Sequence, residues 1–362
     1  MRSSPDRWRP TIYLIALNKR PDKLNRQTDG YRDEYSGVRA MVLGSTGFIG
    51  RWVARGLCDA GAKVFLPVRD RSAAKEVFDE YDIDGDIFQL DLLDEQSVRS
   101  LFREILPTVT FNLAGYGVDR AEQNEELAYQ TNVDLIETVC SAISEIRDHR
   151  WAGLDIVNVG SAMEYGLAGG DLSEDSLVRP TTLYGKSKLA GTNALTDCCR
   201  RFGLKGVTAR LFSVYGPGES RQRLLPTLIL ASGTEKSIPL TDGLHRRDFV
   251  FVEDVAVSLM RLGLAPSLPG QVVNVATGIL SSIRTFAETA AESLGIGHER
   301  LKFGSLPTRL EEMNHGPVTI RRLVDMTDWA PRTTPAEGVR KTLSFWGFNR
   351  FTSNGKGYWL TR

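Results

Sequence analysis

Tyr184 and Lys188 are four residues apart in a segment with helical periodicity, and this spacing could support proton transfer. Positions i and i+4 lie on one face of a helix, so the phenol and the ammonium can meet over one substrate. An ordinary tyrosine has a pKa of about 10, and a lysine charge nearby favours the ionised phenolate. The pair therefore predicts acid–base catalysis by Tyr184, with Lys188 as the main group that lowers its pKa.

A glycine-rich turn lies upstream of this pair and predicts a phosphate-binding loop. It follows a predicted strand and opens a predicted helix, where glycines permit a tight turn and close approach of the backbone to a pyrophosphate. Gly44 suits the turn, Gly47 the close approach, and Gly50 the packing of the helix. The predicted dinucleotide contacts in this turn are Gly44, Ser45, Thr46, Gly47, Phe48, Ile49 and Gly50.

The elements that must position these residues alternate regularly from Val38 onward. Apolar runs predict strands at 40–43, 63–68, 87–90, 109–113, 155–159 and 207–212. Helical periodicity covers 49–60, 72–81, 95–105, 125–146 and 184–202. This alternation predicts an α/β fold with a Rossmann-type, doubly wound parallel sheet and ligands at the carboxyl ends of its strands.

The pattern loosens after Pro217 and predicts a smaller C-terminal substrate lobe. Later elements are predicted as a helix at 249–264, a strand at 272–275 and a helix at 282–294. We assign 38–212 to the dinucleotide-binding domain, with 249–278 returning to it, and 213–248 and 279–362 to the lobe. Residues 1–37 are a polar extension that is either flexible or the product of a start codon assigned too early.

Composition restricts the function. The chain has 362 residues with 45 basic and 45 acidic side chains, so its charge favours neither nucleic acid nor an anionic membrane surface. Apolar runs are shorter than a bilayer requires. Four cysteines and four histidines show no metal-ligand spacing. We therefore expect a metal-free protein of the reducing cytoplasm whose partner is a small molecule.

The glycine turn in a β-α-β start, Ser161 placed 23 residues before Tyr184, and the Tyr-x-x-x-Lys motif together resemble a known family. They are similar to extended short-chain dehydrogenases/reductases of the NAD-dependent epimerase/dehydratase family, nucleotide-sugar branch, from Val38 to about Trp346. The resemblance implies an NAD(P)-dependent oxidoreductase acting on a nucleotide-activated sugar. In it, Ser161 would bond the carbonyl oxygen, Tyr184 would exchange the proton, and Lys188 would also hold the nicotinamide ribose.

The resemblance also indicates how the cofactor is selected, since the residue that ends the second strand contacts the adenosine ribose. Arg69 at that place would bind a 2′-phosphate, whereas Asp70 turned inward would accept hydrogen bonds from a 2′-hydroxyl. We favour NADP(H) over NAD(H) and keep the alternative that Arg69 is only solvated. Further cofactor contacts implied by the resemblance are Asp91, Leu92, Leu113, Ala114, Gly115 and Phe212.

The residues after Ser161 narrow the reaction. Dehydratases of the family carry acidic residues there, but this chain has Ala162 and Met163, with Glu164 one place late. Elimination is therefore disfavoured, and Glu164 is either catalytic or a structural carboxylate. The pattern favours NADPH-dependent reduction of a 4-keto-6-deoxyhexose nucleotide. An NAD-dependent 4-epimerase and a non-catalytic NAD(P)-sensing regulator are the alternatives.

Substrate contacts are predicted on the later part of the chain. Ser213 stands where the family usually has a substrate-binding asparagine, and Arg247 matches an arginine that clamps a diphosphate. A surface arginine paired with Asp248 is the plainer interpretation of Arg247, and Arg223 is a second candidate for the same anion. Asn132 matches a position that braces the active site. The family commonly forms homodimers through the helices predicted here at 125–146 and 184–202.

Overall fold

The computed structural model describes residues 30–119, 121–167, 171–266, 270–308, 314–353 and 356–361, with side chains described up to residue 347. The strands are Arg39–Leu43 (β1), Lys63–Val68 (β2), Asp86–Gln89 (β3), Val109–Asn112 (β4), Ile156–Ser161 (β5), Gly206–Leu211 (β6), Ser213–Tyr215 (β7), Ile238–Pro239 (β8), Arg246–Phe251 (β9), Gln271–Val275 (β10), Leu280–Ser282 (β11), Leu301–Lys302 (β12), Phe348–Ser353 (β13) and Lys356–Thr361 (β14). The α-helices are Phe48–Asp59 (α1), Arg71–Glu80 (α2), Glu95–Ile105 (α3), Glu125–Tyr129 (α4), Leu135–Ile146 (α5), Leu183–Phe202 (α6), Leu224–Ser232 (α7), Val252–Leu264 (α8), Ile283–Leu294 (α9), Arg321–Thr327 (α10) and Pro335–Phe345 (α11).

The main sheet has seven strands in the order β3-β2-β1-β4-β5-β6-β10, and every pair within it is parallel. Helices cover both faces, with α1 and α8 on one side and α3, α5 and α6 on the other. Strands covered in this way are buried on both faces, which explains their continuous apolar runs. The predicted doubly wound α/β fold is confirmed.

The second lobe is built around a small sheet, β7-β9-β11. In it β7 runs parallel to β9, with Ser213 opposite Phe249, and β11 runs antiparallel to β9. The helix predicted from Phe249 is wrong at its start, because residues up to Phe251 belong to strand β9. The helix begins at Val252, where two acidic residues in its first turn suit the positive end of the helix dipole.

The helix predicted over 125–146 is interrupted. Residues Gln130–Asp134 form a π-helical segment between α4 and α5, and Asn132 within it is buried. Such a bulge inserts one extra residue into the turn and re-aims side chains, often at functional sites. The interruption therefore sets the direction of the buried Asn132 side chain.

The chain is already folded at Gly30, which lies before the predicted start of the first domain at Val38. Residues Gly30–Tyr35 form a 3-10 helix, and the fully buried Tyr35 donates a hydrogen bond to the Met260 carbonyl at 2.6 Å. Burying an aromatic ring with its hydroxyl paired stabilises this attachment to α8. The rest of the predicted extension, residues 1–29, lies outside the described residues.

Within the described part of the chain, every helix is too short or too polar to cross a lipid bilayer.

Candidate active site

Helix α6 presents Tyr184 and Lys188 to one loop. Its N-cap is Thr182, whose hydroxyl accepts the Gly185 N–H at 3.0 Å. A methyl group placed on Gly117 would meet Tyr184 Cδ2 at 3.3 Å, and one placed on Gly115 would meet Lys188 Nζ at 3.6 Å. Both side chains therefore face the loop that follows β4, as their spacing in a helix predicts.

Asn132 fixes that loop against α6. Its side-chain amide donates to the Tyr116 carbonyl and to Ser187 Oγ, both at 2.9 Å, and its oxygen accepts the Tyr116 N–H at 3.2 Å. The π-helical segment thus braces the active site through a buried side chain, which is the role that the sequence suggested. Glu122 adds a second brace because its carboxylate accepts the Gly117 N–H at 2.8 Å.

Ser161 ends β5 at the carboxyl edge of the sheet. It caps the short 3-10 helix Ala162–Glu164, and its Oγ accepts the Met163 N–H at 3.1 Å. Because a hydroxyl has one proton to donate, this arrangement occupies an acceptor site and leaves the O–H available. The Ser161 hydroxyl also lies close enough to Tyr184 to lower the pKa of the phenol. Ser161 and Tyr184 can therefore share one substrate oxygen.

Glu164 is placed inside the protein, which favours a structural carboxylate over a catalytic one. It is fully buried, and Oε1 accepts the Ser161 N–H at 2.8 Å. Its Oε2 accepts from Thr192 Oγ1 at 3.0 Å and from Arg210 Nε at 2.8 Å. With both oxygens engaged, the carboxylate positions Ser161 and neutralises Arg210, and it is not directed to a substrate.

The tuning of Tyr184 by Lys188 stays a prediction, because burial dominates the pKa of the phenol in the cofactor-free protein. Burial raises the pKa of Tyr184 to about 12, opposed first by the nearby Ser161 hydroxyl. The charges that contribute most to this pKa are those of Glu164, Arg223 and Glu122, while the Lys188 ammonium reaches towards Gly115. The phenol consequently keeps its proton at neutral pH, as a proton donor must.

Lys188 is itself perturbed, because burial lowers its pKa to about 8, with Glu164 acting in the opposite direction. In the unfolded chain the pKa of Lys188 is near 10.5. At pH 7 the lysine is charged in both states, and burial makes the charged form less stable in the folded protein than in the unfolded chain. Between pH 8 and 10.5 the unfolded state binds more protons, so stability rises with pH in that window. Below pH 8 Lys188 is protonated in both states, so the free-energy cost of burying its charge does not change with pH.

We therefore expect Lys188→Met to stabilise the cofactor-free protein at pH 7. The shift corresponds to a gain on the order of 3 kcal/mol at most, and the gain should shrink as the pH rises above 8. Urea unfolding at pH 7 and pH 9.5 measures both values. Lys186→Met, on the exposed side of α6, is the matched control and should leave stability within about 0.5 kcal/mol. A destabilised Lys188→Met variant would contradict the assignment.

The glycine turn fits a dinucleotide pyrophosphate. Gly44 has φ +76°, and a Cβ there would lie 2.7 Å from the Ala114 N, while one on Gly50 would overlap the Gly44 carbonyl. Gly47 is the N-cap of α1 and has no side chain to cap the helix, so the first N–H groups of α1 are available to an anion. The buried Ser45 hydroxyl has no hydrogen-bond partner among the described residues.

The remaining residues of this turn complete the cradle. Thr46, Phe48 and Ile49 are half-buried, with Phe48 and Ile49 in the first turn of α1. The Arg51 guanidinium donates to the Thr46 carbonyl at 2.6 Å and to the Gly47 carbonyl at 3.1 Å. The loop is thereby held in shape by its own helix.

The three charged residues that follow β2 differ in their hydrogen-bond partners. Asp70 caps α2, accepting the N–H groups of Ser72 and Ala73 at 2.9 and 3.1 Å, while Arg71 donates to the Ile87 carbonyl at 2.9 Å. Arg69 is exposed and has no ion pair among the described residues. Asp70 is therefore committed to its helix, and Arg69 is the group available to a ribose phosphate.

The other predicted cofactor residues lie at the same edge of the sheet. Asp91 follows β3 and accepts the Leu93 N–H at 3.0 Å. Phe212 follows β6 and packs against Tyr165, with ring centroids 6.3 Å apart. The half-buried or exposed residues that follow β3 and β4 are Leu92, Leu113, Ala114 and Gly115.

The predicted substrate residues fall into two places. Arg223, the N-cap of α7, lies close enough to Tyr184 to lower its pKa. Ser213 and Arg247 lie on the neighbouring strands β7 and β9 of the small sheet. Arg247 reaches His315, with 3.4 Å between Nη1 and Nε2.

Sequence reasoning missed three residues of this region. Glu122 and His315 contact the site through loops, and Glu219, beside Arg223, is a buried carboxyl whose pKa burial raises to about 8. None of the three lies in a segment with helix or strand periodicity, so the hydrophobic pattern of the sequence does not indicate them. Only the loop glycine Gly117, which requires a positive φ of 98°, marks the first of these loops in the sequence.

Comparison with known proteins agrees with this arrangement. A model of the NAD dependent epimerase/dehydratase family matches residues 40–276. The chain is 32% identical over 327 residues to dTDP-6-deoxy-L-talose 4-dehydrogenase (NAD(P)(+)) of Kitasatospora kifunensis, covering 84% of this chain and 94% of that relative. It is 29% identical to UDP-glucose 4-epimerase of Mycolicibacterium smegmatis, covering 85% and 98%.

A solved structure supports the fold. An epimerase of Methanothermobacter thermautotrophicus superposes with a TM-score of 0.76 over 87% of this chain and 94% of that chain, at 23% identity. The doubly wound sheet, with its glycine turn and a Tyr–Lys helix at the carboxyl edge, defines the class of short-chain dehydrogenases/reductases. The chain belongs to the NAD dependent epimerase/dehydratase family and is an enzyme of that family, which confirms the sequence-based prediction.

Proposed function

We propose that this enzyme reduces the 4-keto group of a 4-keto-6-deoxyhexose nucleotide with NADPH. The relative with 32% identity is named a 4-dehydrogenase of a 6-deoxy sugar nucleotide. A dehydrogenase run in reverse is a ketoreductase acting at the same carbon. This similarity supports the proposed substrate class, and the geometry of the site supports reduction.

The observation that carries the proposal is the placement of Glu164. Elimination of water from a sugar requires acidic and basic groups beside the carbon that is oxidised. Here Ala162 and Met163 follow Ser161, and the Glu164 carboxylate is fully buried in contacts with Ser161, Thr192 and Arg210. The segment after Ser161 thus lacks a carboxylate for elimination, whereas the Ser161–Tyr184 pair suits protonation of a carbonyl oxygen.

The residues divide the reaction between them. When bound, NADPH supplies the hydride for the carbonyl carbon. Ser161 donates its O–H to the carbonyl oxygen and stabilises the negative charge that develops there. Tyr184 gives its proton to the same oxygen, completing the alcohol, and regains a proton from water. Lys188, facing Gly115, carries the positive charge that offsets the phenolate.

Purified enzyme incubated with NADPH and a panel of dTDP-, GDP-, CDP- and UDP-linked 4-keto-6-deoxy sugars tests the proposal. We expect oxidation of NADPH, followed by its absorbance, with one of these substrates and a product reduced at C4. No turnover with any member of the panel would eliminate the reductase function.

A 4-epimerase is the second candidate, favoured by the 29% identity to a UDP-glucose 4-epimerase over 85% of this chain. An epimerase oxidises and re-reduces one carbon, so it consumes no net cofactor and retains NAD through purification. Conversion of a UDP- or dTDP-hexose to its C4 epimer, at constant reduced-cofactor absorbance, would support it instead. The two candidates give opposite results in the same absorbance assay.

The proposed preference for NADP(H) rests on Arg69, since Asp70 is held as the cap of α2. A charged hydrogen bond contributes about 1.5–3 kcal/mol, so Arg69→Ala should raise the KM for NADPH roughly tenfold to a hundredfold and leave that for NADH nearly unchanged. Arg71→Ala is the matched control, because Arg71 is bonded to the Ile87 carbonyl. Equal KM values for NADPH and NADH in the wild-type enzyme would overturn the preference.

We also propose that the enzyme is a cytoplasmic homodimer that pairs through α4 to α6. The four cysteines are unpaired thiols, which suits a reducing compartment. Sedimentation of the purified protein tests the dimer, with a monomer as the result that contradicts it.

A further inference from the structure

His315 lies where the cofactor side and the substrate side of the site meet. Its ring packs edge-on against Phe212, with centroids 5.3 Å apart and planes at 87°. Phe212 follows strand β6 of the main sheet, whereas Arg247, the other neighbour of His315, belongs to β9 of the small sheet. A ligand held by Arg247 therefore comes within reach of His315.

Hydrogen bonds attach the segment around His315 to strand β9. The His315 N–H donates to the Arg246 carbonyl at 3.0 Å, and the Asn314 side chain accepts the Arg246 N–H at 2.8 Å. The side chain is 5% exposed. This imidazole is consequently a placed group of the protein interior and not a surface side chain.

The neighbouring guanidinium decides which nitrogen of His315 carries the proton. Arginine has only donors, so at 3.4 Å from Arg247 Nη1 the Nε2 of His315 must be the acceptor. In a neutral imidazole the proton then sits on Nδ1. That Nδ1 is buried and has no hydrogen-bond partner among the described residues.

The ring stays neutral at physiological pH. Burial, and then the charge of Arg247, lower the pKa of His315 to about 3. The charged group facing it on β9 is Arg247, while Asp248 turns to Thr277. Protonation at Nε2 would also point an N–H at the guanidinium. His315 is thus a neutral donor of one hydrogen bond.

We propose that the Nδ1–H of His315 donates a hydrogen bond to the diphosphate of the nucleotide substrate, next to Arg247. A diphosphate offers several oxygens, so it can accept from a guanidinium and an imidazole N–H together. Buried donors in folded proteins nearly always have a hydrogen-bond partner, and the bound anion would provide one for Nδ1. This inference rests on the proposed nucleotide-sugar function and adds a substrate-binding residue to it.

Two substitutions test the two ring nitrogens of His315 separately. His315→Asn keeps an amide N–H near the Nδ1 position, whereas His315→Gln keeps an oxygen able to accept from Arg247 and loses the Nδ1 donor. We expect the Kd for UDP, dTDP, GDP or CDP, whichever the wild-type enzyme binds, to rise about tenfold in His315→Gln. His315→Asn should stay within about threefold. Titration calorimetry measures the values, and unchanged NADPH affinity shows that each variant is folded.

A measurement on the wild-type enzyme needs no substitution. The chain has four histidines, so their ring nitrogens are resolvable by NMR, and His315→Gln assigns the signal. We expect a neutral Nδ1–H form without ligand, and a shift of that proton when the nucleoside diphosphate is added. An Nε2–H form, or a signal that the diphosphate leaves unmoved, would overturn the inference.

The outcomes distinguish this inference from the proposed function. If the wild-type enzyme binds no nucleoside diphosphate, the substrate class itself fails. If it binds and Arg247→Ala weakens binding while His315→Gln does not, only the role of His315 fails. An effect of His315→Gln on complete sugar nucleotides alone would place the donor at the sugar and also contradict the proposal.

Discussion

Replacing Tyr184 with phenylalanine is expected to lower turnover of the 4-keto substrate about a thousandfold, within the range of general acid catalysis. The substitution removes one oxygen, and with it the proton that the phenol retains because burial raises its pKa to about 12. Packing against Gly117 involves the ring and is preserved. The rate of NADPH oxidation at saturating substrate measures the loss.

The matched control for this change is Tyr116→Phe. Tyr116 belongs to the same loop region, but among the described residues its hydroxyl accepts just the Asn124 N–H, at 3.3 Å, so its loss should alter turnover less than threefold. Both variants should bind NADPH like the wild-type enzyme in a fluorescence titration. If Tyr184→Phe kept more than a tenth of the turnover, Tyr184 would not be the proton donor.

The second large effect is expected on stability, from Glu164→Gln. The variant leaves Arg210 charged and 3% exposed, without the carboxylate that now lies 2.8 Å from its Nε. Removing one partner of a buried ion pair costs about 3–5 kcal/mol. Urea unfolding of the cofactor-free protein should show this loss in the free energy of unfolding.

Two further variants test the reason for that loss. Glu164→Gln combined with Arg210→Met removes the orphaned charge and should recover most of the stability. Glu145→Gln, which removes the charge from ion pairs with Arg103 at 2.8 Å and Arg99 at 3.1 Å near the surface, should cost no more than about 1 kcal/mol. A loss in Glu164→Gln as small as that in Glu145→Gln would show that the buried pair contributes little.

The sequence predicted most of the main sheet because its signals are local. The strand at 63–68 and the helix at 95–105 have the bounds that their apolar pattern indicated. The prediction failed where tertiary contacts override local pattern. Phe249 joins a strand because β7 and β11 pair with β9, and the helix at 125–146 contains a π-helical segment that positions Asn132.

The candidate site divides in the same way. The amino-acid sequence alone determined the glycine turn, the Ser161 position and the shared face of Tyr184 and Lys188, because each depends on spacing within one strand or helix. The tertiary structure decided the contacts of Glu164 and His315 and the direction of the Tyr184 and Lys188 pKa shifts. Burial and contacts between residues far apart in the chain, such as Glu164 with Arg210 and Arg247 with His315, set these properties, and no local pattern encodes them.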